Sequence, residues 1–340
     1  PKGVLLLRKG RSVTSEKHRA QIMSHMPRVI AVEWQAINYS YTTALDRLMR
    51  NNGSLSQIAN VSALTVDVDP REGSAPLSLT ESWADLHVAL RSLLHQRAEA
   101  SHFLDRLLSI QERSEQLWQQ QPDKSMLVLV QYLFDPQLSY STTHALLCGG
   151  LCQLVSPSSD MTPDVLERLI QAAFTMNLGM AREQDKLARQ ATPLSAIQRR
   201  LVHDHPLRSA ATLRELGVTD PVLLQWIEEH HEKIDGTGYP AGHRADSAEY
   251  RLLQMADSFV SYISPREDRG SLPSQELARK AYLGFGVMPD RLGSLFVKTI
   301  GFFPPGSYVR LVNGECGVVA RRGEIANAPK VMVLVGRTGT

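Results

Sequence analysis

Cysteine is scarce in this sequence, with Cys148, Cys152 and Cys316 the only three in 340 residues. An odd number without a short repeated spacing does not read as a disulfide framework and better suits a reducing compartment, so the cytoplasm is the expected location. Cys148 and Cys152 fall on one helix face, where two thiols read as small core residues before they read as metal ligands. No apolar run approaches the roughly 18 to 20 residues that span a bilayer, and no secretory leader is visible. Excess charge is missing too: 37 Lys and Arg against 35 Asp and Glu leave +2. That balance gives no ground for a nucleic-acid polymer or a membrane surface as partner. Internal repeats and low-complexity tracts are also absent.

What is present is an ordinary globular mixture, 43% hydrophobic and 21% charged, in a chain long enough for two or three domains. Residues 1–68 mix short apolar runs with turns and read as a small α+β module. Val4 to Leu7 and Val29 to Val32 are β-like, Thr14 or Ser15 can cap a short helix, and Leu64 to Val68 alternates as a strand does. Residues 69–78, with Pro70, Gly73, Ser74 and Pro76, read as a linker.

From about Glu81 the pattern turns helical. Leu86, Leu90, Leu93, Leu94, Phe103, Leu104, Leu107 and Leu108 predict one long helix reaching Trp118, broken by Pro122. A helix from about Lys124 ends before Pro136. The next holds His144, and its Gly149-Gly150 pair permits close contact with a neighbour. Thr162 caps a helix with Pro163 in its first turn. Another runs from Ser195 to His205, where Pro206 predicts a break or a new first turn. Asp220-Pro221 opens the helix that ends at His230, and residues 248–263 form one more. Beyond residue 300 the pattern becomes β: Tyr308 to Val312, a tight Asn313-Gly314 turn, Gly317 to Ala320, and a third strand over Val331 to Val335.

Residues 230–240 read His-His-Glu-Lys-Ile-Asp-Gly-Thr-Gly-Tyr-Pro. Adjacent imidazoles cannot share one helix face, so two ligands here require a helix end, which the following loop supplies. With His205 they offer three neutral imidazole nitrogens, a sound donor set for one Zn, Mn or Fe ion. Taken alone, His144 on an apolar helix reads as a satisfied core residue before it reads as a ligand. His18, His25, His87, His95, His102, His203 and His243 sit in polar or helix-surface contexts and read as solvated.

His230-His231-Glu232 with Gly238-Tyr239-Pro240 resembles the signature of the HD-GYP family, metal-dependent HD phosphohydrolases whose members hydrolyse cyclic di-GMP. The resemblance spans roughly residues 140–269. It implies a mainly α chain: an HD-type helical bundle over 79–290, flanked by the N-terminal α+β module and a small β appendage over 300–340. It also implies His144, His205, His230, His231 and Asp257 as candidate metal ligands, and Gly238, Tyr239 and Pro240 as the ligand-facing loop. Arg266 and Arg269 fall where the family places basic residues that engage nucleotide phosphates or guanine, a role guanidinium groups suit. Read without the family, residues 264–270 are a charged loop.

The resemblance also exposes departures. Met176 and Asn177 stand where the family's naming His and Asp belong, and Met180 stands at its Lys. Tyr140 occupies a place where some members carry a glutamate for an extra metal. Two dications about 3.5 Å apart repel by about 19 kcal/mol at an effective dielectric of about 20 before ligands offset it. The family's bridging carboxylate is the main local offset, and an amide supplies no such charge. Thioether sulfur is a poor donor for Zn, Mn or Fe(II). No catalytic set is intact on this reading, and at most one ion fits. The leading expectation is a catalytically impaired HD-GYP protein, a receptor or docking module in cyclic di-GMP signalling. Two alternatives stand beside it: a one-metal phosphodiesterase acting on cyclic di-GMP or another phosphoester, and a purely structural protein docking a partner such as a diguanylate cyclase through the Tyr239 loop.

Overall fold

A computed structural model describes residues 78–340, except 101, 245–246, 266–270, 284–290 and 337–340. The expected N-terminal module, the linker as far as residue 77, His18, His25, Arg266 and Arg269 lie outside the described residues.

The centre of the bundle is α4 (Tyr140–Val155), and its sequence explains why. It carries no acidic or basic residue apart from His144, it is apolar all round beyond its Ser-Thr-Thr start apart from Gln153, and nearly all of it is buried, as a helix without a charged face must be. Gly149 and Gly150 are the contact points. A Cβ on Gly150 would lie 1.9 Å from Trp118, and one on Gly149 would lie 2.6 Å from Phe174. Those aromatics belong to α2 (Phe103–Gln120) and α5 (Pro163–Thr175). The thiols of Cys148 and Cys152 are buried in the same core, and burial pushes Cys152 up to about 12. They are small core residues, as the sequence suggested.

One predicted helix is two. α1 (Leu79–Gln96) and α2 are separated by a turn in which Arg97 and His102 take positive φ of 54° and 51°. The turn contains neither Gly nor Pro, and both helices bury their apolar stripes in the same core, so the leucine spacing runs on through the break. His87 on α1, expected to be solvated, is buried, with its Nε2 3.2 Å from the Ser139 carbonyl oxygen. α3 (Pro122–Leu133) follows, opened by Pro122.

The polar start of α4 is tied to α6 (Ala181–Ala188) by Asp185. Its carboxylate accepts from the Ser141 N–H at 2.7 Å and the Ser139 hydroxyl at 2.9 Å, and lies 3.1 Å from His95 Nε2. α7 (Ala196–Glu215) starts at a capping box between Ser195 and Gln198. It does not stop at Pro206, because the helix continues through the proline for nine more residues. α8 (Pro221–Glu229) is capped by Asp220, and α9 (Ala248–Ile263) by Ser247. α10 (Ser274–Tyr282) and α11 (Arg291–Ile300) close the bundle.

Three short strands follow, β1 (Tyr308–Arg310), β2 (Cys316–Arg321) and β3 (Lys330–Val335), paired antiparallel in the order β1-β2-β3. The first turn is wider than the predicted Asn-Gly pair. Gly314 alone takes positive φ, its N–H bonds to the Leu311 carbonyl, and the Leu311 N–H bonds to the Glu315 carbonyl. The sheet is fixed to α3: Gln131 Nε2 donates to the Gly306 carbonyl, and Arg322 pairs with Asp123. No helix of the described residues is long and apolar enough to cross a membrane.

Candidate functional site

Pro206 has no N–H, so the carbonyl of Val202, four residues earlier, loses its helical partner. The ring of His205 takes that place, donating from Nδ1 to the Val202 oxygen at 2.5 Å. His230, at the end of α8, does the same to the Ile227 carbonyl at 2.6 Å, one of the carbonyls a helix end leaves free. Both rings therefore turn Nε2 inward, and those two atoms face each other at 3.0 Å. With each Nδ1–H committed, both facing atoms carry lone pairs, and that spacing accommodates a shared cation or proton. His231 completes the group, because one ring nitrogen from each of the three lies within 4.8 Å of the others.

The surroundings keep these rings neutral. Burial pushes His205 and His230 below the ordinary imidazole range, and burial with the adjacent His230 takes His231 down to about 3. A neutral imidazole is the ligating form, and a carbonyl on its far nitrogen is the usual means of orienting it. Two nitrogens at about 2.0–2.1 Å from one tetrahedral zinc lie about 3.3 Å apart. The trio fits one such ion.

His144 and Asp257 are brought beside this group without joining it. They pair with each other, His144 Nε2 donating to Asp257 Oδ1 at 2.9 Å, and both are buried. Burial raises the Asp257 carboxyl, but the His144 hydrogen bond and the nearby imidazoles outweigh it and hold it well below the usual carboxylate range. Both residues line a cavity of about 200 Å³ together with Tyr140, Asn177, Met180, His231 and Tyr239.

The doublet position divides. Met176 is fully buried among core residues and does not line the cavity. Asn177 does line it, is only 6% exposed, and its Oδ1 has no hydrogen-bond partner among the described residues; His144 Nδ1 is unpaired in the same way. Two buried acceptors without donors are costly unless water or an ion serves them. Gly179 lies where a Cβ would meet the Ser209 backbone at 2.7 Å, which presses this turn onto α7. Beyond the trio, the described wall of the cavity offers one carboxylate, already bonded to His144, and the neutral amides of Asn177 and Gln184.

The loop after His231 is built on Glu232. Its side chain is fully buried and accepts from the N–H groups of Ala241 at 2.6 Å and Gly242 at 3.0 Å. Its carbonyl accepts from Tyr250 and Gln254 on α9. Gly238 packs on the backbone of His231 to Lys233, where an added Cβ would lie 2.4 Å from the Glu232 Cα. The Tyr239–Pro240 peptide is cis. Tyr239 stacks on His231 with ring centroids 4.6 Å apart, and His203 stacks on Tyr239 at 5.4 Å. His203 is exposed, as expected, and its ring also meets Tyr239, a contact to which no sequence signal pointed.

The profile of the HD domain family matches residues 103–278, about half the chain. The chain belongs to the HD domain family. Among curated proteins, the chain is 24% identical over 197 residues to a cyclic di-GMP phosphodiesterase of Pseudomonas aeruginosa, covering 57% of this chain and 48% of that one. It is 22% identical over 155 residues to a 3'3'-cGAMP-specific phosphodiesterase of Vibrio cholerae, covering 45% and 36%. The chain thus spans half or less of the length of these relatives. Among solved structures, an HDG"Y"P protein from Bdellovibrio bacteriovorus superposes with a TM-score of 0.50 at 15% identity, over 66% of this chain and 72% of that one. That likeness shows the HD-type fold.

Proposed function

We propose that this HD domain is a non-hydrolysing receptor for a cyclic dinucleotide, with at most one divalent ion (Zn, Mn or Fe) held by His205, His230 and His231. The observation that carries the reading is Asn177: a neutral, buried amide with an unpaired oxygen, at the position the family resemblance gives to a bridging aspartate. Met176, confined to the core, adds no ligand. The ligand class rests on the relatives, whose names give cyclic di-GMP and 3'3'-cGAMP as what those proteins act on.

In this reading the bound ion supplies positive charge to a phosphodiester. The three imidazoles stay neutral and fixed in orientation, and the ionised Asp257 holds His144 in place. Tyr239 forms one wall of the entrance, on a loop that Glu232 and Gly238 keep rigid. Arg266 and Arg269 are proposed to meet the nucleotide's phosphates or guanine. Calorimetric titration with cyclic di-GMP, with and without Mn, followed by analysis of the nucleotide, tests this: binding with the nucleotide recovered intact supports it, and cleavage refutes it.

One observation favours a second reading, a one-metal phosphodiesterase. His205 and His230 are pre-oriented as in a working metal site, and a single ion can lower the pKa of bound water. It requires linear product in the same experiment, lost in His231→Ala.

A further inference from the structure

The three rings of the metal-binding trio are not held alike. His205 and His230 are each fixed by a hydrogen bond from Nδ1 to a main-chain carbonyl. Among the described residues His231 has no such bond. Its ring is held by faces, packed against His230 at 4.2 Å and stacked on Tyr239 at 4.6 Å with the planes 25° apart. A metal-ligating histidine ordinarily needs its orientation fixed from outside the coordination sphere. Here a phenol ring stacked on the imidazole face is the contact that can hold the ring, in place of a carbonyl at its edge.

Tyr239 sits on a loop and needs support of its own. Its neighbour His203 lies 5.4 Å away with the planes 23° apart. His203 belongs to α7, the same helix as His205, and its Nδ1 is 2.8 Å from Asp204 Oδ1, which limits its rotation. The stack His203–Tyr239–His231 thus runs from α7, across the loop, to the ligand that has no carbonyl anchor.

We propose that His203 is a positioning residue for the metal site, acting through Tyr239 to fix the ring of His231. The inference rests on the one-ion reading above. His203 is not one of the three donors: its side chain is half-exposed at 52% and paired with Asp204. What it contributes is a flat surface, so another aromatic ring should replace it and an aliphatic one should not.

The test is titration of the full chain with cobalt(II) alone, read from the visible absorption of the bound ion, on the parent, His203→Ala, His203→Phe, Tyr239→Leu and the His203→Ala/Tyr239→Leu double variant. The expected result is cobalt affinity about tenfold weaker in His203→Ala, with a changed band shape, and restored in His203→Phe. In the Tyr239→Leu background, His203→Ala should have no further effect, because the path to His231 is already cut. Thermal melts without metal should be alike for the parent and both His203 variants, since that ring is half in solvent. A parent that binds cobalt with the same affinity and spectrum as His203→Ala overturns this assignment alone. Equal weakening in His203→Phe, or a full further loss in the double variant, overturns the stacking account. A parent that binds no cobalt overturns the one-ion reading and this assignment with it.

Discussion

The ring nitrogens of His205 and His230 face one another across 3.0 Å, each ring pinned from behind by a carbonyl of its own helix. In both cases the carbonyl is one that helix geometry leaves unpaired: Pro206 strips the partner from Val202, and the end of α8 frees Ile227. Local backbone chemistry thus pre-orients two donors before any ion arrives.

The neutral trio makes stability depend on pH in a definite direction. In the folded protein His205, His230 and His231 take up protons only below the ordinary range, His231 at about 3. In the unfolded chain they do so near 6.5. Below about pH 6.5 the unfolded state therefore binds more protons, and stability falls with pH until the folded values are reached. Urea unfolding in chelator should show the parent losing more stability than His231→Gln between pH 7.5 and pH 5. Equal losses would contradict the buried, neutral assignment.

Asp185 gives a second pH effect in a lower window. Burial raises its carboxyl, but His95, the Ser141 N–H and the Ser139 hydroxyl outweigh it and hold it below the usual value. A depressed carboxyl contributes stability that is complete above its unfolded pKa, about 3.9, and lost as pH falls through the folded value. Asp185→Asn should cost about 1 kcal/mol at pH 7, the scale of a lost helix cap. The gap should shrink in urea melts near pH 3, and a gap independent of pH would count against the role.

Gly238 should tolerate no side chain. The nearest atoms to an added Cβ are backbone atoms of His231, Glu232 and Lys233 at 2.4–2.5 Å, and none of them can swing away. Gly238→Ala should lower stability by about 1–3 kcal/mol, the usual scale of overpacking, and weaken cobalt binding by displacing His231 and Tyr239. A variant with the parent's melt and metal affinity would show the loop is not held this tightly.

Restoring charge at position 177 probes the electrostatics directly. Asn177→Asp places a second buried carboxylate near Asp257, so the metal-free protein should melt lower. Zinc affinity should rise by about tenfold or more. Competition against a chromophoric chelator reads the second effect. Unchanged affinity would mean the amide is not what limits the site.

Much of this was legible in the chain. The HD-type bundle, the Thr162 and Asp220 caps, the Gly149-Gly150 contact and the His205–His230–His231 cluster follow from local residue chemistry and the family string. What escaped has physical causes. The break at Arg97–His102 carries no Gly or Pro, and the apolar spacing continues across it. Pro206 reads as a break or a new first turn, yet the His205 ring satisfies the carbonyl it strips and α7 runs on. His87 looks solvated because its partner Ser139 lies 52 residues away in the chain, and the contact of the exposed His203 with Tyr239 spans 36 residues. Glu232 sits inside the recognised string, but its work, closing the loop through Ala241 and Gly242, shows only in three dimensions.

The proposed receptor holds one ion and does not cleave its nucleotide. Metal content and cyclic di-GMP hydrolysis, measured on one preparation loaded with Mn or Fe, address this most directly. The prediction is no more than one ion per chain, with the nucleotide recovered intact. Two ions per chain with steady turnover, abolished in His231→Ala, would contradict it.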